Sequence, residues 1–375
     1  MAILSYLTTT HFDFGALRIL PKELERLGMH RPLIATDRGV RAAGLLDAVL
    51  AVIPGAQDIP VFDDTPGNPT EAAALAAFEL YQANGCDGVI GLGGGSSMDL
   101  GKAVALLAGS GGSLERYDPL TGGARRIERV APVIAIPTTS GTGSEVSVGF
   151  VIVMKDGRKL TFASPKMIPS VAICDPELTL GLPPALTAAT GMDAVTHCIE
   201  AILSPVVNPP AEGIGYDGLR RAWRHIERAV HDGGDREARW NMMMASTEGA
   251  MAFVKGLGPV HSMSHAAGRL PGLRLHHGTL NAVILPTILR FNAGTAPDKY
   301  ERMAEAMGLP AGADLAEAVL ARNASIGLPG GLRAMGVTEE MIPDLVPHAV
   351  ADLSSRTTPK TVDAEVYRDL FHAAL

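Results

Sequence analysis

Four of the eleven histidines fall in one short window, VHSMSHAAGRLPGLRLHHG: His261, His265, His276 and His277. Another, His197, follows Asp193 by four residues in GMDAVTHCIE. Positions i and i+4 share one helix face, so Asp193 and His197 can address the same atom. His261 and His265 share a face in the same way if their segment is helical. Imidazole and carboxylate suit Zn²⁺, Fe²⁺ or a similar divalent ion. One Asp with three His leaves a coordination position open, where the ion acts as a Lewis acid on a carbonyl or stabilises an alkoxide. A histidine taken singly is more often a satisfied core or surface residue, and His11, His30, His225, His231, His348 and His372 are read that way.

Two glycine-rich segments offer a second chemistry. Gly91–Asp99 (GLGGGSSMD) lies between a strand-like and a helix-like run. A strand-to-helix turn without side chains lets backbone N–H groups approach a pyrophosphate, and the helix N-terminus adds positive potential. Ser96 stands where G-x-G-x-x-G requires its third glycine, so this turn alone is as readily a tight βα connection. Pro137–Glu145 (PTTSGTGSE) also follows a strand and is rich in hydroxyls. Two such loops at the carboxyl ends of neighbouring strands, where open α/β sheets bind ligands, point to a nucleotide. Asp37 ends an earlier strand; a carboxylate there accepts hydrogen bonds from an adenosine ribose and repels a 2′-phosphate, which favours NAD over NADP. The adjacent Arg38 argues the other way.

The elements that must position these residues alternate in the first half. Pro32–Thr36, Gly88–Leu92 and Val133–Ile136 read as buried strands, with helices over Thr70–Asn84 and Met98–Leu107. The alternation predicts an α/β domain with a doubly wound, mostly parallel, Rossmann-like sheet. From Pro184 the periodicity is helical throughout: Leu186–Leu203, Asp217–Val230, Arg236–Lys255, Thr279–Phe291 and Asp314–Ser325. The expected organisation is a dinucleotide-binding domain over 1–180 and an all-α, metal-binding domain over 181–375, divided within CDPELTLGLPP.

Composition narrows the function classes. The net charge is −8 with no basic block, which argues against nucleic acid as the main partner. No apolar run reaches membrane-spanning length, and the start, MAILSYLTTTHFDFG, lacks the basic region of a secretory signal. Cys86, Cys174 and Cys198 form no close pair, so neither disulfides nor a thiolate zinc site is indicated, and the expected compartment is the cytoplasm.

Together, GGGSSMDLGKA, PTTSGTGSE, DPELTLGLPPALTAATGMDAVTHCIE, KGLGPVHSMSHAAG and HHGTLNAVILP resemble the iron-containing (group III) alcohol dehydrogenase family over nearly the whole chain. Within it the chain is most similar to the 4-hydroxybutyrate dehydrogenases, on YLTTTHFDFGA, FDDTPGNPTE and LRLHHGTLNAVILP. The resemblance implies a dehydroquinate synthase-like fold, an NAD-dependent and divalent-metal-dependent alcohol dehydrogenase or aldehyde reductase, and at least a homodimer. It implies interconversion of 4-hydroxybutyrate and succinate semialdehyde, or of another primary alcohol and its aldehyde. The metal ligands it implies are Asp193, His197, His261 and, in His276-His277-Gly278, His277 on account of the following glycine. The metal is Fe²⁺ or Zn²⁺. His265 matches a family histidine near the nicotinamide that is not a ligand and is expected to relay a proton. Dinucleotide contacts are implied at Asp37, Asn68, Gly94, Gly95, Ser96, Ser97, Asp99, Thr138, Thr139, Thr142, Ser144, Lys159 and Leu178.

An acid substrate needs a cation for its carboxylate, and Arg269, Arg274 and Lys255 are within sequence reach. Three rivals fit less well. The PTTSGTGSE motif with the Asp/His set argues against a dehydroquinate-synthase-like lyase. Maleylacetate reductases resemble the chain without a metal set. A non-catalytic NAD-binding protein has no use for a Lewis acid.

Overall fold

The computed structural model describes residues 8–270 and 272–375. The first seven residues, which carry part of the N-terminal reading and the start of YLTTTHFDFGA, lie outside them, as does Pro271 in the histidine-rich window. The chain divides into two compact units. One runs up to Thr139 and includes Gly143–Gly181; the other comprises Ser140–Thr142 and Leu182–Leu375.

The first unit contains β1 (Thr9–Phe12), α1 (Leu20–Leu27), β2 (Pro32–Ala35), α2 (Arg38–Ala42), α3 (Leu45–Val52), β3 (Val61–Phe62), α4 (Glu71–Ala83), β4 (Gly88–Gly93), α5 (Gly95–Ser110), β5 (Val133–Pro137), β6 (Gly149–Val153), β7 (Lys159–Ala163) and β8 (Val171–Cys174). Six strands form one sheet in the order β1-β8-β5-β4-β2-β3, and every pair in it is parallel. Alternation along the strands sends Ile34, Ile90, Ile134 and Ile136 to one face, against Leu20, Leu24, Leu46 and Val49 of α1 and α3. Leu33, Ala35, Val89 and Val133 go to the other, against Ala77 and Tyr81 of α4 and Leu100 and Val104 of α5. Helices thus cover both faces, which is why these strands read as continuous apolar runs. Because the strands are parallel, the turns after β2, β4, β5 and β8 all emerge at one edge of the sheet.

Local chemistry accounts for most of the boundaries. The Thr70 hydroxyl caps α4 by accepting from the Ala73 N–H at 3.2 Å. α5 begins three residues before the expected Met98, because its Gly-Ser-Ser turn is a poor helix former in isolation but closes with Met98 N–H donating to Gly94 O at 3.3 Å. The antiparallel pair β6–β7 was not anticipated. β6 is apolar on every residue but its glycine, which hides the alternation that buries Phe150 and Ile152, whereas β7 (KLTFA) does alternate, with Leu160 and Phe162 buried, over a run of only five residues.

The second unit is helical: α6 (Pro184–Leu203), α7 (Pro209–His231), α8 (Arg236–Ala252), α9 (Pro259–Ala267), α10 (His277–Asn292), α11 (Pro297–Ala306), α12 (Leu315–Ser325), α13 (Ile342–Ala351) and α14 (Ala364–Ala374). α6 is its central member, with every residue from Thr187 to Leu203 buried and with α7, α8 and α10 packed around it. A helix enclosed in this way must be apolar or internally satisfied all round. α7 starts two turns before the expected Asp217, since Asn208 caps it through the Ala211 N–H and prolines occupy its first positions. No helix among the described residues is long and apolar enough to cross a membrane.

Candidate metal centre and dinucleotide cradle

The helical unit gathers the histidine set around one oxygen. Asp193 and His197 lie one turn apart on α6, His261 lies on α9, and His277 opens α10. The Nε2 atoms of His197, His261 and His277 stand 3.7, 3.9 and 3.6 Å from Asp193 Oδ1. Four ligands at about 2.1 Å in a tetrahedron lie about 3.4 Å from one another. Measured from Asp193 the three histidines stand slightly beyond that spacing; the donor atoms of Asp193, His197 and His261 all fall within 4.8 Å of each other, and His277 lies near Asp193 but outside that mutual group. The centre opens on one side: the His277 side chain is 26% exposed, against 2% for Asp193 and 5% for His197.

The close approach depends on glycine. A Cβ on Gly278 would lie 2.2 Å from Ala189 O and 3.3 Å from Asp193 Cβ, so only glycine lets α10 bring His277 this near α6. A Cβ on Gly141 would lie 2.5 Å from Thr190 O, and that approach sets the Gly141 carbonyl 3.1 Å from His197 Nδ1.

Each imidazole is turned by an acceptor on its far nitrogen. His197 Nδ1 faces Gly141 O. His261 Nδ1 faces Glu200 Oε2 at 2.6 Å. His277 Nδ1 faces Ser264 Oγ at 3.3 Å, whose own hydrogen goes to His261 O at 3.2 Å. With Nδ1–H donating outward, all three Nε2 lone pairs face Asp193, which is how a metal-ligating histidine is ordinarily held. Asn281, one turn after His277, is completely buried. Its Nδ2 donates to Asp193 Oδ1 at 2.6 Å and lies 3.3 and 3.1 Å from the Nε2 atoms of His261 and His277. Its Oδ1 is buried without a partner. So many acceptors converging on one point is the donor chemistry a cation would satisfy.

Electrostatics acts on the two buried histidines in opposite directions. Burial pushes the His197 imidazolium down to about 4, with the His261 charge adding to the effect and Asp193 partly offsetting it. Burial also disfavours charge on His261, but the hydrogen bond and charge of Glu200 outweigh it and move that group upward.

His265 takes no part in the cluster about Asp193. Its ring stacks on His277 with centroids 5.3 Å apart, and its Nδ1 faces Asp352 Oδ2 at 2.9 Å. Burial raises the Asp352 carboxyl, yet the charge and hydrogen bond of His265 and the Ser354 N–H bring it below the usual range. His276 caps α10 from an exposed position, so His277 is the member of that pair that reaches the cluster.

In the α/β unit the remaining candidates collect at the carboxyl edge of the sheet. Gly94 caps α5 with no side-chain hydrogen bond, which leaves the first-turn N–H groups of Gly95, Ser96 and Ser97 uncapped. A Cβ on Gly94 would lie 3.4 Å from Thr139 Oγ1, and that hydroxyl is buried without a partner. Asp37 caps α2 through Val40 N–H and accepts from Ser97 Oγ at 3.1 Å. Ser96 Oγ donates to Gly67 O. Lys159 Nζ donates to Asn68 Oδ1 at 3.0 Å. Thr138 and Leu178 are buried, and Thr142 falls with the helical unit.

Asp99 is committed inward: its two oxygens accept from Ser144 Oγ at 2.6 Å and Val151 N–H at 2.9 Å. Beside it, Lys102 is fully buried and donates to the carbonyls of Ser144, Ser147 and Gly149 at 2.7, 3.1 and 2.8 Å. Burial drives that ammonium down to about 8, with Asp99 and Glu145 opposing. Asp99, Lys102 and Ser144 therefore fix the loop after β5. Among the functional neighbours not anticipated from sequence, Glu200 and Asn281 carried a usable signal: each sits one helical turn from a candidate ligand.

Two of the three candidate carboxylate receptors are engaged elsewhere. Lys255 is buried, with Nζ 2.7 Å from Glu212 Oε2, and Arg269 pairs with Asp344 at 3.3 Å. Arg274 is exposed, three residues before His277.

Residues 8–176 match the family described as iron-containing alcohol dehydrogenase, and residues 187–375 match the C-terminal part of the Fe-containing alcohol dehydrogenase family. The chain belongs to the iron-containing alcohol dehydrogenase family. As a member it is an oxidoreductase of the alcohol dehydrogenase type. It is 53% identical to a 4-hydroxybutyrate dehydrogenase of Cupriavidus necator over 100% of both chains. It is 35% identical to a 1,3-propanediol dehydrogenase of Citrobacter freundii over 96% of each. Among solved structures, a 1,3-propanediol oxidoreductase superposes with a TM-score of 0.92 at 32% identity, covering 100% of both chains. A sulfoacetaldehyde reductase from Bifidobacterium kashiwanohense in complex with NAD⁺ superposes with a TM-score of 0.89 at 28% identity, covering 100% of this chain and 98% of the other. The expected fold class and enzyme class are thus both borne out.

Proposed function

We propose that this family member interconverts 4-hydroxybutyrate and succinate semialdehyde with NAD, using a divalent cation held by Asp193, His197, His261 and His277. The observation that carries the reading is three imidazole Nε2 atoms within 3.9 Å of one carboxylate oxygen, each imidazole turned by an acceptor on its other nitrogen. The 53% identity to the Cupriavidus necator enzyme supports the substrate. When bound, a divalent cation supplies Lewis acidity toward a substrate oxygen, and NAD supplies the hydride acceptor. Fe²⁺ is the ion the family name supports; Zn²⁺ suits the same ligands.

The chain's own residues do the rest. His265, its Nδ1–H directed to Asp352, keeps Nε2 as the atom that accepts and passes on the hydroxyl proton. The uncapped first turn of α5, with Thr138 and Thr139 beside it, is suited to a pyrophosphate. Asp37 is suited to a ribose hydroxyl and disfavours a 2′-phosphate. Asn68, Lys159 and Leu178 border the same sheet edge, while Asp99 and Ser144 hold its loop in shape. On this reading residues 1–180 form the dinucleotide domain and 181–375 the metal domain. Arg274 receives the substrate carboxylate, since Lys255 and Arg269 are committed to acidic partners. Family membership supports a homodimer, and cysteines that form no disulfide among the described residues suit a reducing cytoplasm.

The test is an NADH-linked assay on protein stripped by a chelator and then reloaded with Fe²⁺ or Zn²⁺, run beside H261A. Stripping should abolish 4-hydroxybutyrate oxidation and reloading restore it, while H261A, left with three of the four ligands, should hold the cation much more weakly and lose activity. A fully active, metal-free H261A protein refutes the ligand set.

A further inference from the structure

We infer that Glu200 is a positioning residue of the metal centre, the carboxylate that holds His261 with its Nε2 lone pair facing the cation. The inference rests on the ligand set proposed above and extends it to a residue outside that set.

Glu200 follows His197 by three residues on α6, so the same stretch of helix supplies two ligands and the support of a third. It is 4% exposed. Both its oxygens are used on α9: Oε1 accepts from the Val260 N–H at 2.7 Å, and Oε2 faces His261 Nδ1 at 2.6 Å. Among the described residues His261 is its only ion-pair partner. A buried carboxylate with no lysine or arginine beside it is costly unless another positive charge is near. With Asp193 it brings two negative charges to the centre, which a divalent cation balances. The other two histidines are oriented by neutral acceptors, the Gly141 carbonyl and the Ser264 hydroxyl. Of these three acceptors Glu200 is the charged one, and a carboxylate bonded to a ligating imidazole makes it a stronger donor as well as fixing its orientation.

A glutamine of the same shape separates these roles. Val260 N–H and His261 Nδ1–H are two donors requiring two acceptors, and a carboxamide offers one acceptor and one donor. If its oxygen keeps Val260, its NH₂ faces Nδ1. The imidazole must then carry its hydrogen on Nε2, toward Asp193, where it cannot ligate. An aspartate keeps the charge but withdraws it by one methylene.

The experiment measures Zn²⁺ affinity of the cation-free full chain by competition with a chromophoric chelator, for wild type, E200Q, E200D, H261A and E200Q/H261A. Melting of the cation-free proteins checks folding. E200Q should bind Zn²⁺ roughly 10- to 100-fold more weakly than wild type, and E200D should fall between them. If Glu200 acts through His261, E200Q should cause no further loss on the H261A background, whereas a merely structural role would weaken both backgrounds equally. A folded E200Q with Zn²⁺ affinity within about twofold of wild type overturns the inference, as does an equal loss on both backgrounds. Should E200Q not fold, E200D decides: affinity equal to wild type overturns the inference, and weaker affinity supports it. Wild type that binds no Zn²⁺ or Fe²⁺ would instead sink the ligand set itself, and this inference with it.

Discussion

Replacing Gly278 by alanine tests whether the spacing of α6 and α10 sets the metal centre. The added Cβ would sit 2.2 Å from Ala189 O, where real contacts of this kind begin at 3.0 Å. The first turn of α10 must therefore retreat from α6 by about 0.8 Å at the least, because the obstacle is backbone and cannot swing aside. His277, the preceding residue, moves with it. Its Nε2 is 3.6 Å from Asp193 Oδ1, already beyond the spacing of about 3.4 Å between two ligands of a tetrahedral ion. Metal–ligand distances tolerate about 0.2 Å, so the retreat is about four times what coordination accepts. The expected result is a loss of about 1–3 kcal/mol in the urea stability of the cation-free protein, in the range for overpacked cores. It comes with Zn²⁺ affinity at least about tenfold weaker, as when the support of a ligand is lost. NAD binding, which engages the α/β unit on this reading, is the control and should change little. A variant with wild-type stability and wild-type Zn²⁺ affinity refutes the claim that this glycine sets the helix spacing.

Two further outcomes follow from individual side chains. R274A should raise KM for 4-hydroxybutyrate about tenfold while leaving KM for butanol nearly unchanged, as loss of a partly solvated charge contact does; an equal effect on both alcohols in steady-state assays removes Arg274 as the carboxylate receptor. Burial, with the Asp217 charge adding and Arg221 opposing, pushes the Glu248 carboxyl from 4.5 up to about 8. Its folded value is therefore raised, and between pH 4.5 and 8 the folded state holds a proton that the unfolded chain has released. Stability contributed by that proton is complete below 4.5 and is lost as pH rises toward 8. E248Q should accordingly be more stable than wild type by on the order of 2 kcal/mol at pH 8.5 and by little at pH 5. Denaturant melts showing the same difference at both pH values would contradict the assignment.

Much of this was written locally. The capping threonine of α4, the parallel strands that read as unbroken apolar runs, and the i, i+4 spacing of Asp193 and His197 each depend on neighbours within a turn or two. Helix period, strand burial and cap chemistry are short-range rules, so those features were legible before any fold was known. The composition of the candidate metal set was proposed from sequence too, through motifs that travel together in one family. What only tertiary structure decided is which groups meet across long stretches of chain. Glu200 reaches His261 over 61 residues, Asn281 reaches Asp193 over 88, and Asp352 reaches His265 over 87. Lys255 looked available to a substrate until packing buried it on Glu212. Residue type establishes what a side chain is able to donate or accept. Its partner depends on how closely two helices pack, and at this centre that distance is set by the missing Cβ of Gly278 against the Ala189 carbonyl.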